Sequence, residues 1–186
     1  MSGPRRRLCP NDLLKSYMPA PLVITEYDPQ WPVLFEELRV KFSELLGDMA
    51  SAIEHVGSTS VPGLAAKPII DLDVLLASAA YLPETIRRLA TLGYEHQGDL
   101  GIAGREAFRT PPTLFAHHLY VCLPNYEEFR RHISLRNYLR SHPAEVSAYS
   151  NLKWNLFARF ADDRAAYIRG KEDFVTQLVQ RAIARS

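Results

Sequence analysis

The sequence predicts an α+β fold, in which helices pack against a small mixed sheet and the last third of the chain is helical. Two patterns predict it. Over the first two thirds, short apolar runs typical of strands are interspersed with apolar residues at helical spacing, whereas from residue 126 onward only helical spacing remains. Because a sheet must bury its apolar side against other elements, we expect the helices to cover it.

Composition and charge are those of an ordinary globular chain. Of 186 residues, 47% are hydrophobic and 23% are charged, and the net charge is +1. A near-neutral chain argues against nucleic acid or a membrane surface as a partner, and the apolar runs are too short to span a membrane. Cys9 falls in a tail and Cys122 in an apolar run, which predicts no disulfide and a cytoplasmic location.

The chain divides into a short leader and one domain. Residues 1–20 contain three prolines and three arginines with little periodicity, and are predicted to be flexible. Residues 21–186 are predicted to be a single domain, since no repeat or low-complexity stretch interrupts them and their number suffices for one full core.

Local spacing predicts the elements of the first two thirds. Apolar residues at helical spacing over 33–46 predict a helix that begins after Pro32 and ends before Gly47. A second helix is predicted over 82–92. Strands are predicted at 51–56, 69–76, 94–97, 105–110 and 114–123. The strand at 69–76 is almost wholly apolar, as expected of a strand that is covered on both faces.

The last third predicts three amphipathic helices. Apolar residues recur at helical spacing over 126–138, 146–160 and 168–183. Pro143 separates the first two helices, and a pair of aspartates at 162–163 separates the last two. The chain is therefore expected to end in a helical layer packed on the sheet.

Two aspartates interrupt the apolar strand at 69–76. Asp71 and Asp73 are two residues apart, so in a strand they project from the same face, about 7 Å apart. Carboxylates at this spacing repel each other unless a cation or a proton lies between them, and oxygen ligands suit Mg²⁺ or Mn²⁺. The alternative is that both acids pair with arginines. Because buried charges are costly, we favour a metal site.

A Gly57-Ser58 pair lies just upstream, with Ser58 thirteen residues before the first aspartate. Such a turn can present backbone N–H groups and a hydroxyl to a phosphate. Gly-Ser is also a common turn dipeptide, and Thr59 or Ser60 can instead cap a short helix. Lys67 precedes the acidic strand, where it can pair with a phosphate or with the acids. Metal-binding acids beside a phosphate-binding turn are typical of phosphoryl or nucleotidyl transfer.

Residues 54–74, EHVGSTSVPGLAAKPIIDLDV, resemble the signature of the GrpB family. The resemblance covers residues 22–180 and includes GREAFR at 104–109, HHLYV at 117–121, RHISLRNYLR at 131–140 and YIRGK at 167–171. Members of this family occur alone or fused behind dephospho-CoA kinase. The family in turn resembles the nucleotidyltransferase superfamily, whose pattern is Gly-Ser followed by Asp-x-Asp. That resemblance implies a polymerase-β-like mixed sheet with Mg²⁺ and a nucleoside triphosphate at the strand ends.

The chain departs from that superfamily in one respect. Active polymerase-β-like transferases take a third carboxylate from a later strand, and the matching stretch here, 117–122, contains no acid. Family members often have His-His-Leu-His at this place, where this chain has Tyr120 for the last histidine. His118 shares a face with Tyr120, and it either accepts a proton or binds metal, or is a structural histidine. His117 is predicted to be structural.

Basic side chains provide further candidates for phosphate contacts, since arginine suits bidentate contacts and lysine suits a point contact. The candidates are Lys67, Arg105, Arg109, Arg136, Lys153 and Lys171. Arg105 and Arg109 are spaced to share one face of a strand. The alternative for any single one of these residues is a solvated surface position. His132 is predicted to be a surface or packing residue of a helix.

Together these features favour a nucleotidyltransferase that depends on Mg²⁺ or Mn²⁺ and moves a nucleoside monophosphate from a nucleoside triphosphate to an unknown small-molecule or protein acceptor. Asp71 and Asp73 would hold the metal, Gly57 and Ser58 would hold the triphosphate, and His118 would assist deprotonation. Two alternatives stay open. One is a non-catalytic module that binds a nucleotide or a CoA-type phosphate compound, and the other is a metal-dependent phosphohydrolase.

Overall fold

The computed structural model of the chain describes residues 22–184, so the predicted leader at 1–20 lies outside the described residues. The α-helices are α1 (Trp31–Leu46), α2 (Leu82–Thr91), α3 (Glu127–Arg140), α4 (Pro143–Phe160) and α5 (Arg164–Ile183). The strands are β1 (Ala50–Val56), β2 (Ile70–Leu76), β3 (Glu95–His96), β4 (Arg105–Arg109) and β5 (His117–Cys122).

The strands form one mixed sheet in the order β1-β2-β5-β4-β3. β2 and β5 run parallel, and every other neighbouring pair is antiparallel. A parallel pair needs a long connection, which here contains α2, β3 and β4. The predicted α+β fold with a mixed sheet and a helical last third is confirmed.

Two strands are shorter than the sequence predicts by two residues or more. The strand predicted at 94–97 consists of Glu95–His96 alone, and β5 begins at His117 instead of residue 114. The apolar residues at 114–116 follow Pro111 and Pro112 but lie outside the strand. The chain turns there instead, with Leu114 N bonded to Pro111 O at 3.1 Å.

The sheet has an apolar face and a polar face. Leu72 and Val74 of β2 are fully buried on the apolar face, where they pack with Phe42 of α1 and Leu89 of α2. Residues alternate between faces along a strand, so the two aspartates of β2 project from the opposite face. The main hydrophobic core therefore lies on the side of the sheet away from the acids.

The last three helices form a second core with the segment that follows β1. Leu139 of α3, Tyr149 of α4 and Leu178 of α5 pack with Val61 and Leu64. This packing holds the helical layer beside the polar face of the sheet. Within residues 22–184, none of the helices has both the length and the apolar composition required of a membrane span.

Candidate functional site

The two aspartates of β2 lie side by side on the polar face, and each is held by a histidine. Nδ1 of His118 on β5 lies 2.8 Å from Oδ1 of Asp71, and Nδ1 of His132 on α3 lies 2.7 Å from Oδ2 of Asp73. A carboxylate can only accept, so Nδ1 of each ring carries the hydrogen. The Asp73 side chain is fully buried, whereas a third of the Asp71 side chain (33%) is exposed.

Asp73 controls the protonation of His132. Burial by itself would lower the pKa of His132, but the hydrogen bond and charge of Asp73, together with the charges of Glu128 and Asp71, outweigh burial and raise that pKa above 6.5. The imidazolium so favoured balances the charge of the buried Asp73 carboxylate. His132 is thus a packing residue of its helix, as expected, and its partner is the buried Asp73 on the polar face of the sheet.

Gly57 brings the backbone into contact with Asp71. Its φ of 69° and ψ of −169° lie in a region open to glycine, and a Cβ at this position would lie 2.2 Å from Asp71 Oδ2. The following side chains do not cap the short turn at Ser58–Ser60, since Ser60 Oγ donates to Gly57 O at 2.6 Å and Thr59 Oγ1 donates to Ile69 O at 3.3 Å. The alternative of a capped helix is therefore wrong.

Lys153 of α4 lies directly behind the Gly57-Ser58 turn. Its Nζ donates to Ser58 Oγ at 2.7 Å and to Ala65 O at 2.7 Å, and it lies 4.1 Å from the centre of the Tyr149 ring. The residue is 2% exposed. Burial, and next the charge of Lys171, lower the pKa of Lys153 well below its usual value. A buried amine on a turn hydroxyl is suited to receive an anion bound at that turn.

Two further predicted lysines lie at the Asp71 end of the site. Burial, followed by the charge of Lys67, lowers the pKa of Lys171 to about 8, and Asp71 opposes the shift. Burial, followed by the charge of Arg164, lowers the pKa of Lys67, which Asp71 also opposes. The structure thus brings Lys67, Lys153 and Lys171 together near one carboxylate, in a cluster whose mutual repulsion a polyanion would relieve.

A stripe of α3 crosses the polar face at four-residue intervals. After His132 comes Arg136, whose Nη1 donates to Glu54 Oε2 at 2.6 Å and to His55 O at 3.0 Å. Arg140 follows, and its Nε and Nη2 donate to Ser60 O at 2.9 and 2.7 Å. Arg136, predicted to contact phosphate, therefore contacts β1, and Arg140 fixes the turn. In the sequence, the i, i+4, i+8 spacing of these residues indicates only that they lie on one side of a helix.

The structure separates the two predicted arginines of β4. Arg105 stacks on the Tyr120 ring at 4.2 Å, and its buried Nε has no hydrogen-bond partner among the described residues. Arg109 forms an ion pair with Glu95 of the edge strand β3, which β4 and β5 separate from β2. Arg105 thus lies next to the site, whereas the guanidinium of Arg109 pairs with a residue of the edge strand.

The donor set at the acids fits a hard divalent cation only in part. Within residues 22–184, no three His, Cys, Asp or Glu side chains converge closely enough to enclose a metal. The fully buried Oδ1 of Asp73 nevertheless has no hydrogen-bond partner among those residues. A carboxylate oxygen without a hydrogen-bond partner suits Mg²⁺ or Mn²⁺. These ions commonly bind one or two carboxylates and complete their coordination shell with water and phosphate oxygens.

Open space adjoins the Gly57-Ser58 turn and His132, the histidine that holds Asp73. A cavity of about 230 Å³ lies between Gly57, Ser58 and the last three helices. It shares His132, Leu135 and Val175 with a groove of about 420 Å³ between α3 and α5. The two spaces together reach the size typical of small-molecule sites.

Two solved structures are similar in fold to this chain. The conserved protein GrpB from Enterococcus faecalis is 35% identical, with a TM-score of 0.80 over 88% of this chain and 98% of that chain. A Cid1 poly(U) polymerase bound to MgATP has a TM-score of 0.50 at 14% identity, over 73% of this chain and 44% of that chain. The second likeness concerns the fold alone. The fold is thus nucleotidyltransferase-like.

Curated relatives match most of this chain. The YqkA protein of Bacillus subtilis is 33% identical over 156 residues, which are 84% of this chain and 46% of that protein. A Pseudomonas aeruginosa relative is 36% identical over 162 residues, which are 84% of this chain and 66% of that protein. This chain therefore spans about half of the first relative and two thirds of the second.

A shorter part of the chain is similar to a protein with an enzyme name. A dephospho-CoA kinase of Mycolicibacterium paratuberculosis is 33% identical over 78 residues, which are 40% of this chain and 19% of that protein. The family model described as GrpB protein matches residues 21–181, nearly all of the chain. The chain therefore belongs to the GrpB family.

Proposed function

We propose that this protein is a nucleotidyltransferase that depends on Mg²⁺ or Mn²⁺ and moves a nucleoside monophosphate from a nucleoside triphosphate to a small-molecule or protein acceptor. One observation carries the proposal. The Gly57-Ser58 turn lies against Asp71, beside the buried Asp73, while Lys153 reaches the turn from behind. A turn suited to phosphate, two acids suited to a metal and a lysine amine thus share one corner of the polar face.

The triphosphate would bind at the turn. Backbone N–H groups and Ser58 Oγ supply hydrogen bonds, and Lys67, Lys153 and Lys171 supply positive charge. The lowered pKa values of the three lysines support this assignment, since a bound polyanion would offset both their burial and their mutual repulsion. Arg105 is the arginine best suited to a further phosphate contact, because its Nε has no hydrogen-bond partner among the described residues.

Asp71 and Asp73 would hold the divalent cation through the oxygens that their histidines leave open. When bound, such an ion supplies charge neutralisation at the phosphate under attack. His118 is the candidate base. Its Nδ1 is fixed on Asp71 Oδ1, and its Nε2 makes no hydrogen bond among the described residues, so Nε2 can accept the proton of an acceptor hydroxyl.

The test is a screen for pyrophosphate release. The full chain is incubated with each nucleoside triphosphate, Mg²⁺ or Mn²⁺, and pools of candidate acceptors, beside a variant carrying Asp71→Asn and Asp73→Asn. We expect release by the wild type alone, with the double variant still folded by circular dichroism. Equal product from both proteins would contradict the metal assignment.

A non-catalytic module for nucleotides or CoA-type phosphate compounds is the second candidate. Two observations favour it. Tyr120, and no acid, lies opposite Asp73 on β5, and part of the chain matches a protein named dephospho-CoA kinase. Under this hypothesis the wild type binds a nucleotide or CoA compound but releases no pyrophosphate with any acceptor. Release of phosphate with water alone would instead indicate a phosphohydrolase.

A further inference from the structure

β1 carries an acid directly beside the metal-binding pair. In the antiparallel ladder of β1 and β2, Glu54 is the partner of Asp73, and Val56 is the partner of Asp71. Opposite residues in such a ladder project from the same face, with Cβ atoms about 4.5–5.5 Å apart. The neighbour of Asp73 on its other side is Tyr120 of β5. The carboxylate next to Asp73 across the sheet is therefore on β1.

Each of these three acids has one oxygen held by an N–H donor from another element. His118 holds Asp71 Oδ1, and His132 holds Asp73 Oδ2. Arg136 holds Glu54 Oε2 at 2.6 Å, and the arginine side chain is 11% exposed. Donors of this kind orient carboxylates around a metal in many proteins.

The second oxygen of each acid makes no hydrogen bond among residues 22–184. Asp71 Oδ2 lies against Gly57, and Glu54 Oε1 belongs to a side chain that is 34% exposed. Asp73 Oδ1 is the most informative, because it is buried without a partner, and buried polar atoms normally have one. Three open carboxylate oxygens thus occur on one face of two neighbouring strands.

We propose that Glu54 is the third carboxylate of the divalent-cation site, so that β1 supplies the acid that β5 lacks. The inference rests on the function proposed above. As they stand, the three side chains do not converge on one point. Glu54 has one more rotatable bond than aspartate, and the assignment requires that its side chain rotates toward Asp73 when the cation binds. The competing hypothesis is that Glu54 only anchors Arg136, and through it α3, to β1.

The test measures Mn²⁺ binding to the full chain by calorimetry or by the electron paramagnetic resonance of free Mn²⁺. The variants are Glu54→Gln, Glu54→Asp and Asp71→Asn. Glu106→Gln is the matched control, since Glu106 is also a strand glutamate with one oxygen on a neighbouring side chain, His96. We expect Glu54→Gln to raise the Kd for Mn²⁺ at least tenfold, Glu54→Asp to raise it less, and Glu106→Gln to leave it unchanged.

Three outcomes separate the hypotheses. If Glu54→Gln binds Mn²⁺ as the wild type does while Asp71→Asn does not, the third-ligand assignment is overturned and the proposed function stands. If the wild type binds no Mn²⁺, or Asp71→Asn binds it equally well, the acid pair is not a metal site and both proposals fall. Should Glu54→Gln fail to fold, Glu54→Asp decides, since it keeps the charge: unchanged affinity would contradict the assignment.

Discussion

At the residue scale, the Gly57-Ser58 turn depends on two contacts that only particular side chains permit. Gly57 lets Asp71 approach from the front, and Lys153 donates to Ser58 from behind. Neither contact involves the hydrophobic core. Substitution of Lys153 is therefore expected to affect mainly nucleotide affinity, and substitution of Gly57 to affect mainly the free energy of unfolding.

Replacement of Lys153 by methionine is expected to lower the affinity for nucleoside triphosphate at least about tenfold, the effect of losing one charge-assisted hydrogen bond. The free energy of unfolding should change little, because the loss of two hydrogen bonds is offset by removal of a buried amine. Calorimetric titration with nucleotide and urea denaturation measure the two effects. Lys41→Met on α1, across the sheet, is the control. An unchanged nucleotide affinity would show that Lys153 is structural only.

Replacement of Gly57 by alanine is expected to lower the free energy of unfolding by about 2–4 kcal/mol, since it combines a strained backbone with a clash against Asp71. Gly98→Ala is the matched control, because Gly98 has φ +74° but a Cβ added there would meet nothing within 4 Å. It should cost about 1 kcal/mol. Equal losses in urea denaturation would mean that the approach to Asp71 does not constrain the turn.

His55 is expected to make the fold sensitive to acid. Burial, and next the charge of Arg140, lower the pKa of His55 to about 4. The unfolded chain takes up this proton near pH 6.5, so stability is complete above that pH and falls as the pH drops toward about 4, by up to about 3 kcal/mol. In the variant His55→Gln, which keeps an N–H donor for Thr59, the free energy of unfolding should fall less over this pH range. Urea denaturation at about pH 7 and about pH 4.5 compares the two proteins; parallel declines would contradict the assignment.

At the element scale, the sequence predicts helix α3 but not the contacts that its polar side makes with the sheet. Its polar stripe of His132, Arg136 and Arg140 has the spacing of a solvated helix face, and that interpretation is ordinarily correct. Here the stripe lies on the polar face of the sheet, where it meets Asp73, Glu54 and Ser60. Periodicity identifies a helix and its polar side, but the partner of that side comes from contacts about 60–80 residues away along the chain.

Arg140→Met is expected to loosen the turn through α3. It removes two hydrogen bonds to Ser60 O and should lower the free energy of unfolding by about 1–3 kcal/mol while weakening nucleotide binding. Arg130→Met, at an exposed position on the same helix, is the control and should change neither quantity. Urea denaturation and nucleotide titration provide the measurements. An effect of equal size in both variants would point to general loss of helix charge.

The strands show where local prediction succeeds. The prediction of β2 is correct nearly to the residue, because a short, almost wholly apolar run is typical of a buried strand. The predicted start of β5 is too early, because apolar residues after Pro111 and Pro112 belong to a turn. The acid pair, the Gly-Ser turn and its lysines can therefore be found from sequence. Glu54 and His132 cannot, because their importance lies in strand register and helix docking.

At the scale of the whole molecule, the fold divides two tasks between the faces of one sheet. The apolar face builds the main core with α1 and α2, and the polar face carries the acids under α3. This division explains how a strand buried on both sides can contain Asp73. We propose that residues 21–186 fold as one domain on this sheet, and that the protein is cytoplasmic.

Nucleoside triphosphates labelled either at the α-phosphate or at the γ-phosphate give the sharpest test of nucleotidyl transfer at the acid pair. The wild type and the variant that carries both Asp71→Asn and Asp73→Asn are each incubated with a divalent cation and with the acceptor found by the pyrophosphate screen. The labelled products of the two proteins are then compared. We predict that the wild type alone transfers the α-label to the acceptor and releases the γ-label as pyrophosphate. Transfer of the γ-label, its release as inorganic phosphate, or equal α-transfer by the double variant would contradict nucleotidyl transfer at this site.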